Sequence, residues 1–78
     1  MQTVNISLGS IEKVKSFVDA LAIFESEFDL VSGRYVIDAK SIMGIFSLDL
    51  TKPLQLNIHT HENDDMGAIH KALSPYIV

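Results

Sequence analysis

An α+β fold is predicted: an open-faced sandwich with a four-stranded antiparallel sheet and three helices on one face, in the order β-α-β-β-α-β-α. Three observations predict it. Two short segments alternate apolar and polar residues with period two, the mark of a strand with one buried face. Two others place apolar residues three and four apart, the mark of a helix with one buried face. Between them lies a pair of strand-like runs separated only by Ser32-Gly33, which demands an antiparallel hairpin. Helices alternating with such a hairpin leave one sheet face covered and the other wet.

The elements follow in order. Thr3-Val4-Asn5-Ile6-Ser7-Leu8 alternates, with Val4, Ile6 and Leu8 on one side. Gly9-Ser10 interrupts it, and Ile11, Val14, Phe17, Val18, Leu21 and Phe24 form the apolar stripe of a helix with Ser10 as N-cap and Glu12 in its first turn. Phe28-Asp29-Leu30-Val31 and Tyr35-Val36-Ile37 are the hairpin strands. A second helix is expected from Ser41 to Leu50, ended by Lys52-Pro53. Leu54, Leu56 and Ile58 then alternate with Gln55, Asn57 and His59. The polar run Glu62-Asn63-Asp64-Asp65 supplies a cap for the last helix, whose buried face carries Met66, Ile69, Ala72 and Leu73 and which ends near Ser74-Pro75.

Composition bounds the function. A chain of 78 residues with 47% hydrophobic and 21% charged residues is expected to form one small folded domain spanning 1–78. Its stability is expected at about 4–12 kcal/mol, from roughly 0.05–0.15 kcal/mol per residue. With no cysteine there is neither a disulfide framework nor a thiolate metal site. Six Lys and Arg against ten Asp and Glu give a net charge of −4, and the basic residues are scattered, so direct nucleic-acid binding is not expected. Met1 to Asn5 lack the basic and apolar regions of a signal peptide, and no apolar run approaches the length of a membrane span. The expected location is the cytoplasm, with no membrane partner.

The segment Lys40-Ser41-Ile42-Met43-Gly44-Ile45-Phe46-Ser47-Leu48-Asp49-Leu50 is the most informative. Ser41 can cap a helix through the amide of Met43 or Gly44. Six of the nine residues from Ile42 to Leu50 are large and apolar, about twice what one buried face needs. Ile42, Met43 and Phe46 can share an exposed corner while Ile45 and Leu48 point inward, and methionine suits an adaptable contact surface.

This same stretch, "AKSIMGIFSLDL", resembles the central segment of the histidine-containing phosphocarrier protein (HPr) of the bacterial sugar phosphotransferase system. The resemblance spans essentially the whole chain, although Gly33 sits one place from the usual hairpin glycine. It implies an HPr-like sandwich, a regulatory phosphorylation site at Ser41, and a partner-docking surface at Ile42, Met43 and Phe46.

With Ser41 as anchor, the family's catalytic loop falls on Leu8-Gly9-Ser10-Ile11-Glu12-Lys13. Ser10 then stands in the place of the phosphoryl-accepting histidine, Glu12 in that of the arginine and Lys13 in that of the proline. A carrier needs an imidazole to hold a transferable phosphoryl group and a cation to stabilise its charge. A carboxylate in the cation's place repels it. No catalytic residue is therefore assigned: Ser10 and Glu12 are degenerate positions, and Ser10 is a helix cap.

Loss of the histidine with retention of the serine is the combination found in a catabolite-repression branch of the HPr family. What this likeness implies is a regulatory, protein-binding module rather than an enzyme. Its partners would be an HPr kinase/phosphorylase and a LacI-type transcription regulator. Two alternatives stay open: a functional phosphocarrier with an unexpected acceptor, and a homodimeric assembly module. His59 and His61, one residue apart beside Glu62, Asp64 and Asp65, with His70 further on, are too weak a pattern for a metal site. No metal or cofactor is assigned.

Overall fold

The computed structural model describes residues 2–78, which leaves Met1 outside. Seven elements run in the expected order: β1 (Gln2–Ile6), α1 (Ile11–Ala22), β2 (Glu27–Ser32), β3 (Tyr35–Asp38), α2 (Ile42–Ile45), β4 (Leu54–His59) and α3 (Met66–Leu73). The strands form one antiparallel sheet in the order β1-β4-β2-β3. The helices cover one face, with α1 packed against both α2 and α3.

Register explains which side chains reach the core. Ile6 pairs with Leu54 and Val4 with Leu56, while Leu30 lies opposite both Leu56 and Ile37. These residues point toward the helices. They meet Val14, Phe17 and Leu21 of α1, Ile45 of α2, and Ile69 and Leu73 of α3, all fully buried. Each such side chain contributes about 1.5–3 kcal/mol of transfer free energy. Thr3, Asn5, Gln55, Asn57, His59, Glu27 and Asp29 occupy the alternate positions and face the wet side. The α+β open-faced sandwich is the observed fold.

Three local expectations are corrected. The hairpin turns at Gly33-Arg34, because Ser32 is already paired with Tyr35. Gly33 adopts φ 58 and Arg34 does not share its sign, the pattern of a type II′ turn, which glycine alone adopts without strain. Ile11, placed by its spacing on the buried stripe of α1, is largely exposed. Leu8, fully buried just before the helix, fills the core at that end.

The third correction concerns α2, which has four residues rather than the expected run from Ser41 to Leu50. Beyond Ile45 the chain tightens: Ser47 and Leu48 donate their amides to Gly44 and Ile45, three residues back. The Ser47 hydroxyl also donates to the Gly44 carbonyl at 2.6 Å, and Asp49 accepts from the Thr51 amide and hydroxyl. Polar side chains competing for backbone groups unwind the helix here. That hydroxyl and amide of Thr51 also hold the Asp49 carboxyl below its ordinary pKa.

The last residues extend the sheet. Ile77 bridges Ile6, Ser7 donates its amide to the Tyr76 carbonyl at 2.8 Å, and Val78 donates to Asn5 at 3.0 Å. Part of the outer edge of β1 is thereby covered.

Candidate functional site

Two helix starts are capped by serine, α1 by Ser10 and α2 by Ser41. Ser10 is extended (φ −144°, ψ 159°), so its side chain folds back over the first turn of α1. Its Oγ accepts the Lys13 amide at 3.1 Å, and its carbonyl accepts the Val14 amide. This satisfies donors that every helix start leaves open. Glu12 is exposed beside it, and among the described residues it has no ion-pair partner. The side chains that crowd this end are structural: Ser16 Oγ and Tyr76 Oη lie 2.6 Å apart, and Tyr76 meets Phe17 edge-on.

Ser41 is also extended (φ −92°, ψ 97°) and exposed, with its Oγ accepting the Gly44 amide at 3.3 Å. That bond is long, so the hydroxyl is only lightly committed. The apolar side chains that follow divide sharply. Ile45 and Leu48 are buried, and Ile42 packs half-buried against the core. Met43 is 77% exposed and Phe46 39% exposed. Ile42, Met43 and Phe46 thus lie on one short turn, with Met43 its most prominent apolar group.

Gly44 makes this turn possible. A Cβ added there would stand 2.6 Å from Ile37 Cγ2 and 3.2 Å from Ser41 Oγ. The branched Ile37 side chain, half-buried on β3, has little freedom to withdraw. Glycine therefore lets α2 lie close on the sheet while the cap forms.

Lys40 does not sit over Ser41. Its Nζ donates to the Phe24 carbonyl at 2.7 Å and lies 5.7 Å from the centre of the Phe28 ring. It ties the connection after α1 to the approach to α2, a role that sequence spacing does not reveal.

The histidines fall into separate contacts. His59 Nε2 lies 2.9 Å from Asp29 on the wet face, His61 Nδ1 lies 3.2 Å from Glu25, and His70 Nε2 meets Gln2 at 2.9 Å. Among the described residues no three His, Asp or Glu side chains converge as a metal site. Nearby, buried Ser26 donates its hydroxyl to Asp64 at 2.5 Å and accepts the His61 amide at 2.8 Å. The Ser26 hydroxyl, joined by backbone amides, holds the Asp64 carboxyl below its ordinary pKa despite the opposing cost of desolvation. A shallow recess of ≈ 580 Å³ opens at the hairpin end beside Gly33, Asp49, Lys52 and Gln55. Neither serine cap lines it.

Comparison with known proteins decides the lineage. Residues 12–77 match the PTS-HPr family, described as the PTS HPr component phosphorylation site. The chain belongs to the HPr family. The matched span contains Ser41 and the turn after it, and begins two residues beyond Ser10. In three dimensions the chain is similar to the crystal structure of HPr-C-His from Thermoanaerobacter tengcongensis, with a TM-score of 0.75 and 28% sequence identity. The superposition covers 96% of this chain and 89% of that one. No sequence match to a curated protein was found. Among the described residues no helix is long and apolar enough to cross a membrane.

Proposed function

We propose that this single HPr-like domain is a cytoplasmic binding and regulatory member of the sugar phosphotransferase system that does not transfer phosphohistidine. The observation that carries the reading is the contrast in what surrounds each serine. Ser41 is exposed next to Met43 and Phe46, which offer apolar surface to a partner. Ser10 has Glu12 beside it and an imidazole nowhere in its loop, so a phosphoryl group there would find neither a transferable linkage nor a stabilising cation.

Modification at Ser41 would proceed by attack of Oγ on the γ-phosphorus of ATP. The hydroxyl proton is lost, the bond to the bridging oxygen breaks and ADP leaves. The product carries about two negative charges at the edge of an apolar contact surface. Because α2 has only four residues, its aligned dipoles add little, and the Gly44 amide is the group nearest to receive the new charge. The modification thus acts on what docks at Met43 and Phe46 rather than on the fold. An HPr kinase/phosphorylase is the enzyme suited to install and remove it, and a LacI-type transcription regulator is the partner class that the catabolite-repression branch offers.

The test is intact-mass spectrometry after incubation with ATP and an HPr kinase/phosphorylase, beside Ser41→Ala. One added phosphate on the wild type alone is expected. An unmodified wild type, under conditions in which an authentic HPr is modified, would overturn the regulatory assignment.

A further inference from the structure

The two edges of the sheet are treated differently. The last residues of the chain cover part of β1, through the Ile6–Ile77 bridge and the amides of Ser7 and Val78. At the outer edge of β3 the Asp38 carbonyl accepts the Ser41 amide at 2.9 Å, but Tyr35 to Ile37 receive no such cover among the described residues, and the register with β2 runs unbroken from Ser32–Tyr35 to Asp29–Asp38, with no bulge. It has no proline or lysine of its own, two common guards of an open edge. Tyr35 and Val36 are 69% and 64% exposed.

The polarity of this edge follows from the hairpin. The Ala39 amide donates inward to the Phe28 carbonyl, so alternate residues Ile37 and Tyr35 also direct their backbone groups toward β2. The amide and carbonyl of Val36 therefore point outward. On either side lie Arg34 and Asp38, two residues before and two after, sharing the wet face with Val36.

We propose that β3 pairs antiparallel with β3 of a second copy of this chain, about a two-fold axis through Val36. The segment Arg34-Tyr35-Val36-Ile37-Asp38 is self-complementary in that register. Val36 exchanges both backbone hydrogen bonds with Val36 of the second copy. Tyr35 faces Ile37 on the helix side, and Arg34 faces Asp38 on the wet side, twice over by symmetry. The axis stands perpendicular to the sheet, so two four-stranded sheets become one of eight strands with every helix on the same face.

Charge argues for this occupant. Arg34 is exposed at the hairpin tip and forms no hydrogen bond or ion pair among the described residues. Asp38 lies directly opposite Asp29 in the register, a like-charge pair that destabilises a sheet. Among the described residues the Asp38 carboxylate meets only the Lys40 amide, at 2.9 Å. An arginine arriving from outside on Asp38 offsets the repulsion on the side that the chain leaves open. The contact is small, so the dimer is weak and appears only as concentration rises.

Sedimentation velocity from micromolar to millimolar protein tests this. The wild type is expected to shift from monomer to dimer. Val36→Pro removes an outward amide that the monomer does not use, and should raise the dissociation constant at least tenfold with thermal unfolding little changed. Arg34→Asp and Asp38→Arg should each be monomeric alone, because each places like charges across the axis, and should associate when mixed, because the mixture restores both opposite pairs. A wild type that stays monomeric at millimolar concentration overturns the proposal. So does a dimer that survives Val36→Pro but is lost in Phe46→Asp, which would place the contact on α2.

Discussion

Ser10 and Ser41 begin their helices in the same way. Each is extended, and each accepts the amide three residues ahead, at 3.1 Å and 3.3 Å. What differs is everything around the bond. Ser10 heads a twelve-residue helix whose Val14, Phe17 and Leu21 are buried, so its cap supports a large part of the core. Ser41 heads four residues, beyond which Met43 and Phe46 remain outside. The same local device thus caps a long packed helix in one place and leaves an exposed hydroxyl beside exposed apolar side chains in the other. A capping serine says where a helix starts, and its neighbours say what the serine is for.

The comparison can be broken most forcefully at the exposed apolar turn after Ser41. Met43→Asp and Phe46→Asp are each expected to weaken association with the HPr kinase/phosphorylase by at least tenfold, the effect of an apolar anchor replaced by a charge. Titration calorimetry reads this. Met43→Asp should leave thermal unfolding almost unchanged, since the side chain is already in water. If neither variant loses affinity, the exposed turn is not the docking surface.

Gly44→Ala comes next. Alanine gains about 1 kcal/mol in helix propensity over glycine, but its methyl collides with Ile37, and such overpacking costs about 1–3 kcal/mol. A net loss of about 1 kcal/mol is expected in urea unfolding. A stabilised Gly44→Ala would mean that α2 can lift from β3 freely.

Removing the caps themselves should separate the two serines in the opposite sense to function. Ser10→Ala is expected to cost about 1 kcal/mol, the usual worth of an N-cap on a packed helix. Ser41→Ala should cost only a few tenths, because its bond is longer and its helix shorter. Equal losses would erase the distinction.

The smallest effect lies at low pH and away from both caps. The Asp64 carboxyl titrates below its ordinary value because the charged form is bonded to Ser26. Its contribution is therefore complete above the unfolded carboxylate pKa, near 3.8, and is lost as pH falls through the lower folded value. Asp64→Asn should flatten the stability profile over that acid range, and an unchanged acid limb would show that the bond does not form.

Much of this was legible in the sequence where the signal is local. The alternation at Leu54, Leu56 and Ile58 and the three-four spacing along α1 gave the elements, and Ser10, Ser41 and an acidic residue before Met66 gave all three helix starts. The length of α2 was not legible, because its ending depends on Ser47, Asp49 and Thr51 bonding to backbone rather than on apolar spacing. Contacts between distant residues were invisible for the same reason: Lys40 on Phe24, Ser26 on Asp64 and Ile77 on Ile6 leave no periodic trace. Ile11 illustrates the converse, a residue on the correct stripe that lies exposed because Leu8 fills the core at that end.

The asymmetry between the serines is tested most directly by offering the wild-type protein two phosphoryl donors in parallel. One sample receives ATP with an HPr kinase/phosphorylase. The other receives phosphoenolpyruvate with the first enzyme of the sugar phosphotransferase system, and peptide mapping with acid treatment follows in both. One acid-stable phosphate on Ser41 in the first sample and none in the second is the predicted result. An acid-labile phosphate acquired from phosphoenolpyruvate would contradict it, and would make this chain a phosphocarrier with a different acceptor.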